Sequence, residues 1–168
     1  MVQACRRHGV KLGVGFHLRH HPGHVEASRI VRQGVLGSIA LAQAQFTRGV
    51  RGEVHASLGT GLREWRGRPE QVGAGVIMGL GIHCIDLIRY ILGQDVVEVS
   101  AVTDGQTQEQ PLEETATLLL RFDRGAIGMV SCSRRIPDSR NDAVIYGSDG
   151  RVLVEDTIWT ELQGRLEV

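Results

Sequence analysis

Lysine is almost missing from this chain. Its 168 residues include one, Lys11, among nineteen basic residues, and that one opens the apolar run Lys11-Leu-Gly-Val-Gly-Phe16. No lysine therefore stands in a polar turn where it could move a proton. A dinucleotide fingerprint is missing as well. Gly13/Gly15, Gly59/Gly61, Gly73/Gly75 and Gly79/Gly81 each give G-x-G, but the third glycine is replaced by Leu18, Glu64, Met78 or Cys84. These pairs read as turns and close packing, so the chain alone is not expected to bind NAD or NADP. Acidic and basic residues cancel to a net charge of zero, which excludes the basic footprint of nucleic-acid binding. Three cysteines, Cys5, Cys84 and Cys132, form no C-x-x-C pair, so neither a disulfide framework nor a zinc ribbon is indicated. No stretch approaches the ~20 apolar residues of a membrane span, and Arg6-Arg-His8 is followed by no signal-peptide core. A soluble cytoplasmic protein, without membrane or nucleic-acid partners, is the expectation. Ser131 and Ser133 lie outside any G-x-S-x-G elbow, which leaves nucleophilic hydrolysis unsupported.

What is present concentrates between Gly73 and Gly93. From Val76 to Leu92 apolar residues occupy nearly every helical face, while Gly79, His83, Asp86 and Tyr90 recur at spacings of four, three and four. These four form one stripe on a helix. Burying such polar groups costs several kcal/mol unless they are paired. His83 and Asp86 are close enough for a carboxylate to hold an imidazole or to line the same pocket. Two readings stay open here: a core histidine tied to a neighbouring carboxylate, or a site. Gly73 and Gly75 allow close backbone approach at a helix start, where unpaired N–H groups could receive a ligand.

The stretch from Trp65-Arg66 through the glycine cluster Gly73-Ala-Gly75 to Gly79-Leu-Gly-Ile-His83-Cys-Ile-Asp86 and Gly93 resembles the second domain of the glucose-fructose oxidoreductase and inositol dehydrogenase family. There the pattern is W-R, a glycine cluster, D-x-G-x-H-x-x-D and an apolar run ending in Gly. The resemblance extends upstream, where Lys11 to His24 looks like the crossover from dinucleotide domain to substrate domain, and downstream through strand-like runs. It implies an NAD(P)-dependent oxidoreductase acting on a sugar, polyol or similar hydroxy compound. In that setting His83 is the proton-transfer or substrate-polarising residue, Asp86 orients it, and Arg19, Trp65 and Arg66 bind substrate. The family's first motif Asp is here Gly79, and its Glu-Lys-Pro lysine has no counterpart. The resemblance thus also admits a non-catalytic binding or assembly module that keeps the scaffold.

The implied fold class is α+β, a large mostly antiparallel sheet with helices packed on one face. Residues 1–16 read as a remnant of the dinucleotide-binding domain, a helix over Val2 to His8 and a buried strand over Lys11 to Phe16; residues 17–168 read as a substrate-binding and oligomerisation domain. The length suits one domain rather than two, and the chain reads as beginning partway through a helix. Val25 to Gln33 is predicted helical, with Pro22-Gly23 breaking any helix before it. Strands are predicted at Ile39 to Thr47, Val96 to Thr103, Glu114 to Phe122, Ala126 to Ser133, Asp142 to Gly147 and Arg151 to Glu155, with another over Ile158 to Leu162. Arg48 to Pro69 reads as a long loop, either a functional lid or a disordered segment, and Gln106 to Glu114 as a polar connection. Alternation in Thr115 to Phe122 and Ala126 to Cys132 leaves Thr, Ser and small residues on one sheet face, which could pair with another subunit; the resemblance implies a homodimer or homotetramer formed through this sheet. His17, His20, His21 and His24 invite comparison with a metal site, and thereby a metal-dependent hydrolase. No carboxylate lies among them, so rim or surface histidines with no metal are the preferred reading.

Overall fold

The computed structural model describes residues 1–49, 69–108 and 111–168. Trp65 and Arg66 lie outside the described residues. Seven strands form one sheet: β1 (Ile39–Thr47), β2 (Val96–Thr103), β3 (Thr115–Phe122), β4 (Ile127–Ser133), β5 (Ala143–Gly147), β6 (Arg151–Glu155) and β7 (Arg165–Glu167), in the spatial order β2-β3-β4-β1-β5-β6-β7. All pairings are antiparallel except the central one. There β1 runs parallel to β4, from Leu41 opposite Ile127 to Thr47 opposite Ser133.

The period-two alternation of β3 places Ala116, Leu118, Leu120 and Phe122 inside and Thr117, Leu119 and Arg121 outside. Its partners obey the same register, so Val130 and Cys132 of β4 and Ala42, Ala44 and Phe46 of β1 share the buried face. Two helices cover that face, α2 (Pro22–Arg32) and α4 (Ile82–Leu92), packed on one another. Cys84, Leu87, Ile88 and Ile91 of α4 are completely buried, and each full burial of an aliphatic side chain contributes about 2 kcal/mol. The helix stops at Gly93, whose left-handed conformation closes it. Among the described residues the other α-helices are short, α1 (Val2–Arg7) and α3 (Pro69–Val72), and a 3₁₀ turn spans His17–His20.

Several boundaries depart from expectation for identifiable reasons. Pro22-Gly23 does interrupt the helical run of the histidines, since the 3₁₀ turn His17–His20 ends before it, but it also begins the next helix three residues earlier than Val25. Pro22 occupies the first turn, where its missing N–H costs nothing, and His21 caps the turn by accepting from Gly23 N–H at 3.1 Å. Lys11 to Phe16 forms no strand and is largely exposed, because the sheet ends elsewhere and offers it no partner. The last strand is Arg165–Glu167 rather than Ile158 to Leu162; Ile158 instead enters the core as an irregular segment held by Asn141 O. Leu112, Glu113 and Glu114, placed by pattern in a polar connection, are buried. Finally, Glu70–Leu92 is long and apolar enough to cross a membrane by length and composition, contrary to the sequence reading. Here it is the core helical segment of a domain, 56% buried over its most apolar window.

Candidate functional site

The site begins where backbone must approach backbone. Before α4 the chain makes a π-helical turn, Ile77–Gly81, a geometry that disturbs the regular ladder and recurs at functional positions. Its start is held by Glu113, whose carbonyl accepts from Val76 N–H at 2.9 Å and whose carboxylate accepts from Ile77 N–H at 3.0 Å. A Cβ on Gly75 would collide with the Glu113 carbonyl, so only glycine permits that seat. One turn on, a Cβ on Gly79 would collide with Nη2 of Arg134, which projects from just beyond β4.

His83 follows on the same stripe. Its half-buried imidazole sits among rings, with centroids 5.2 Å from His17, 6.0 Å from Phe16 and 6.3 Å from Phe46 in edge-on arrangements. Phe46 in turn meets Trp159 at 6.0 Å, and His17 Nε2 lies 3.1 Å from the Trp159 carbonyl. Among the described residues, the buried Nδ1 of His83 has no hydrogen-bond partner. An unpaired nitrogen in such a position is uncommon and marks the ring as more than a packing element. Burial pushes the His83 pKa below the ordinary histidine range, the charge of His17 acts the same way, and Asp86 opposes them. The imidazole is therefore neutral at pH 7 and able to accept a proton.

Asp86, one turn along, is not hydrogen-bonded to His83. Both its oxygens accept from Arg19, from Nε at 2.8 Å and Nη2 at 2.5 Å. The sequence reading made Asp86 the orienting partner of His83 and Arg19 a substrate ligand. In the structure these two are each other's partners, and Asp86 acts on His83 through its field. The guanidinium of Arg19 also stacks over Phe16 and Tyr90, 5.8 and 5.7 Å from their centroids. Thus Arg19, His83, Asp86 and Tyr90 are brought together, while Trp65 and Arg66 lie outside the described residues.

The histidine cluster is dispersed in function. His21 is spent on Gly23 N–H and, at 2.9 Å, on the Gln163 carbonyl; buried His24 bridges Leu18 O and Thr157 Oγ1, both at 2.8 Å. Among the described residues no three His, Cys, Asp or Glu converge as a metal site. Four residues escaped sequence reasoning: Phe46, Glu113, Arg134 and Trp159. Each reaches the site from a distant element, and no local spacing announces it.

The family model described as the GFO/IDH/MocA C-terminal domain matches residues 24–153. An uncharacterized oxidoreductase, YrbE, of Bacillus subtilis is 29% identical, covering 93% of this chain and 41% of its own length. Myo-inositol 2-dehydrogenase of Thermotoga maritima is 32% identical over 51% of this chain and 27% of its own length. Among solved structures, aldose-aldose oxidoreductase from Caulobacter crescentus, complexed with glycerol, superposes with a TM-score of 0.75 at 23% identity, covering 98% of this chain and 47% of that one. GenD2 of gentamicin A biosynthesis, in complex with NAD, gives 0.74 at 24% identity over 91% and 42%. These two show the fold. The chain spans less than half the length of the curated relatives it matches.

Proposed function

This chain belongs to the GFO/IDH/MocA family as its C-terminal domain, and from that premise we propose that it is the substrate-binding and oligomerisation domain of an NAD(P)-dependent oxidoreductase acting on a sugar, polyol or related hydroxy compound. The observation that carries the proposal is the unpartnered, buried Nδ1 of a neutral His83 in an aromatic niche beside the Arg19–Asp86 pair.

Oxidation of a secondary alcohol releases a proton and a hydride. His83 accepts the proton from the substrate hydroxyl, and the resulting imidazolium is stabilised by the nearby Asp86 carboxylate. Arg19 holds that carboxylate in place through its two hydrogen bonds, which makes both positioning residues. Phe16 and Phe46 hold the ring edge-on, and Trp159 packs against Phe46 behind it. Trp65 and Arg66, which lie outside the described residues, are proposed to bind substrate. The residues present do not fit a dinucleotide: no glycine turn of the required spacing is encoded. NAD or NADP, the hydride acceptor of the complete enzyme, is therefore assigned to a nucleotide-binding half, and this chain alone is inactive.

The same scaffold supports assembly in the cytoplasm as a homodimer or homotetramer. The sheet face away from the helices exposes Leu119 and Ile127 and carries a shallow 340 Å³ depression lined by Gln43, Met129, Val144, Tyr146 and Leu153. Gly79 and the missing lysine favour a second reading, a binding module with no chemistry of its own.

Imidazole NMR of the isolated chain, titrated with myo-inositol, D-glucose and D-glucuronate, tests the proposal. At least one of these should shift the His83 signals saturably. If none does, while His24 reports a folded protein, the substrate-domain reading fails.

A further inference from the structure

The two edges of the sheet are unlike. β7 is three residues long and charged, with Arg165 paired to Glu155 and Glu167 to Arg151, the kind of edge that other chains cannot join. β2, at the opposite edge, is eight residues long and exposed beyond Val96. Its stretch Val99-Ser-Ala-Val-Thr103 carries no charge and no proline, and Val99 and Val102 are 57% and 74% exposed. Val99 shares the helix side of the sheet with its buried partner Leu120, yet α2 and α4 pack over β1, β4 and β6 and leave it open. The ladder fixes where the backbone groups of β2 point. Asp104 N–H donates to Thr115 O at 3.0 Å, Asp123 N–H donates to Asp95 O at 2.9 Å, and the bulge between Val96 and Glu98 absorbs the one residue of mismatch. Both ends give one alternation: Glu98, Ser100 and Val102 exchange bonds with β3, while Val99, Ala101 and Thr103 turn N–H and C=O outward. Among the described residues β2 has no other strand beside it.

We propose that this edge is an interaction surface for a second copy of the chain, the two β2 strands pairing antiparallel about a two-fold axis at Ala101. Such a row is complementary to itself. Ala101 exchanges two bonds with its counterpart, and Val99 exchanges two with Thr103 of the partner subunit on each side of the axis, about six in all. The charges brought opposite one another, Glu98 and Asp104, are already engaged within each copy. Glu98 accepts from Arg121 Nε at 2.6 Å, and Asp104 accepts from the N–H groups of Glu114 and Thr115 at 3.0 and 3.1 Å and pairs with Arg135. Main-chain bonds supply the affinity, as in other cases of strand addition, and the uncharged row from Val99 to Thr103 matches a copy of itself without leaving a charge unpaired. Val99 and Ala101 sit on the helix side of the sheet, so this surface is separate from the outward face that bears Leu119. It does not depend on the substrate-domain reading.

Cross-linking and sedimentation of the full chain test it. In a Cys5→Ser background, where Cys84 and Cys132 are buried, Ala101→Cys puts two thiols on Cα atoms about 5.5 Å apart, within disulfide reach. Under mild oxidation it should form a covalent dimer about tenfold faster than Arg124→Cys at the exposed β3–β4 turn, because pairing raises the local thiol concentration. Ala101→Pro removes an outward N–H and no bond to β3, so it should halve the sedimenting mass with unchanged far-UV circular dichroism. Val99→Lys, at an exposed position, should do the same, and it serves if the proline variant does not fold. Cross-linking no faster than at position 124, or a mass that neither Ala101→Pro nor Val99→Lys lowers, overturns the proposal. A native chain that sediments as a monomer overturns it too.

Discussion

Arg19 and Asp86 meet across sixty-seven positions of sequence in a two-bond ion pair, and this pair ties the segment before α2 to the middle of the core helix. Asp86 is buried while Arg19 keeps 44% of its side chain exposed. The two partners therefore stand in different dielectric surroundings, and the pair is asymmetric in what its loss would cost.

Removing Arg19 leaves a buried carboxylate without its donors; removing Asp86 leaves an arginine that water can solvate. Arg19→Ala is expected to destabilise the chain by about 2 kcal/mol, the upper range for a broken buried pair being discounted for the exposure of Arg19. Asp86→Asn, which keeps an acceptor, should cost less than half of that. Urea unfolding of both single variants and the double variant gives the comparison. Equal losses would mean that the pair behaves as an ordinary surface bridge.

The His83 ring senses two neighbours of opposite sign. His17→Gln removes a group that lowers its pKa and should raise the titration midpoint, whereas Asp86→Asn removes one that raises it and should lower the midpoint. Imidazole NMR between pH 4 and 8 reads both. A midpoint that moves in the same direction in both variants would contradict the electrostatic account of the site.

How much of this could be read in the sequence depends on how far apart the cooperating residues lie. The stripe Gly79, His83, Asp86 and Tyr90 was legible because helical spacing is a local property, and six strands were legible because alternation is too. The sheet face carrying Thr117, Leu119 and Ser131 followed from the same period. Partner choice was not legible. Spacing alone offered Asp86 to His83, yet Arg19 claimed both carboxylate oxygens, since a guanidinium fork satisfies two acceptors where one imidazole N–H satisfies one. Lys11 to Phe16 has the composition of a strand and lacks only a neighbour to pair with, which is a tertiary fact. Glu113 and Arg134 converge on the π turn from two separate ends of strands, so no window of sequence contains them both.

His24 makes the fold acid-sensitive. It is completely buried as a neutral ring between Leu18 O and Thr157 Oγ1, and burial pushes its pKa down to about 4 from 6.5. Below pH 6.5 the unfolded chain takes up a proton that the folded chain refuses. Stability is thus full above pH 6.5 and falls as the pH drops toward 4, by at most ~3 kcal/mol from this residue. Thermal unfolding across that window should show a steeper decline for the native chain than for a His24→Gln variant that still reaches Thr157. Parallel declines would remove His24 as the cause.

The uncovered face of the sheet gives the last prediction. Thr117, Leu119 and Met129 lie on it in register, Leu119 directly opposite Met129, while Leu118, Leu120, Phe122 and Val130 of the other face are buried. A sheet with one face open and apolar residues upon it gains by meeting a second copy, and an isologous contact would bring the same patch from both partners together. Sedimentation at micromolar concentration is expected to show a dimer or larger species. Charged residues at Thr117 and Met129 should dissociate it without unfolding the chain, because neither position contributes to the buried core. The exposed Lys11 to Phe16 segment offers a competing, less specific route to association. Removing residues 1–16 distinguishes them. A folded monomer after that deletion, together with an intact oligomer in the Thr117 and Met129 variant, would transfer the interface from the sheet to the N-terminal segment.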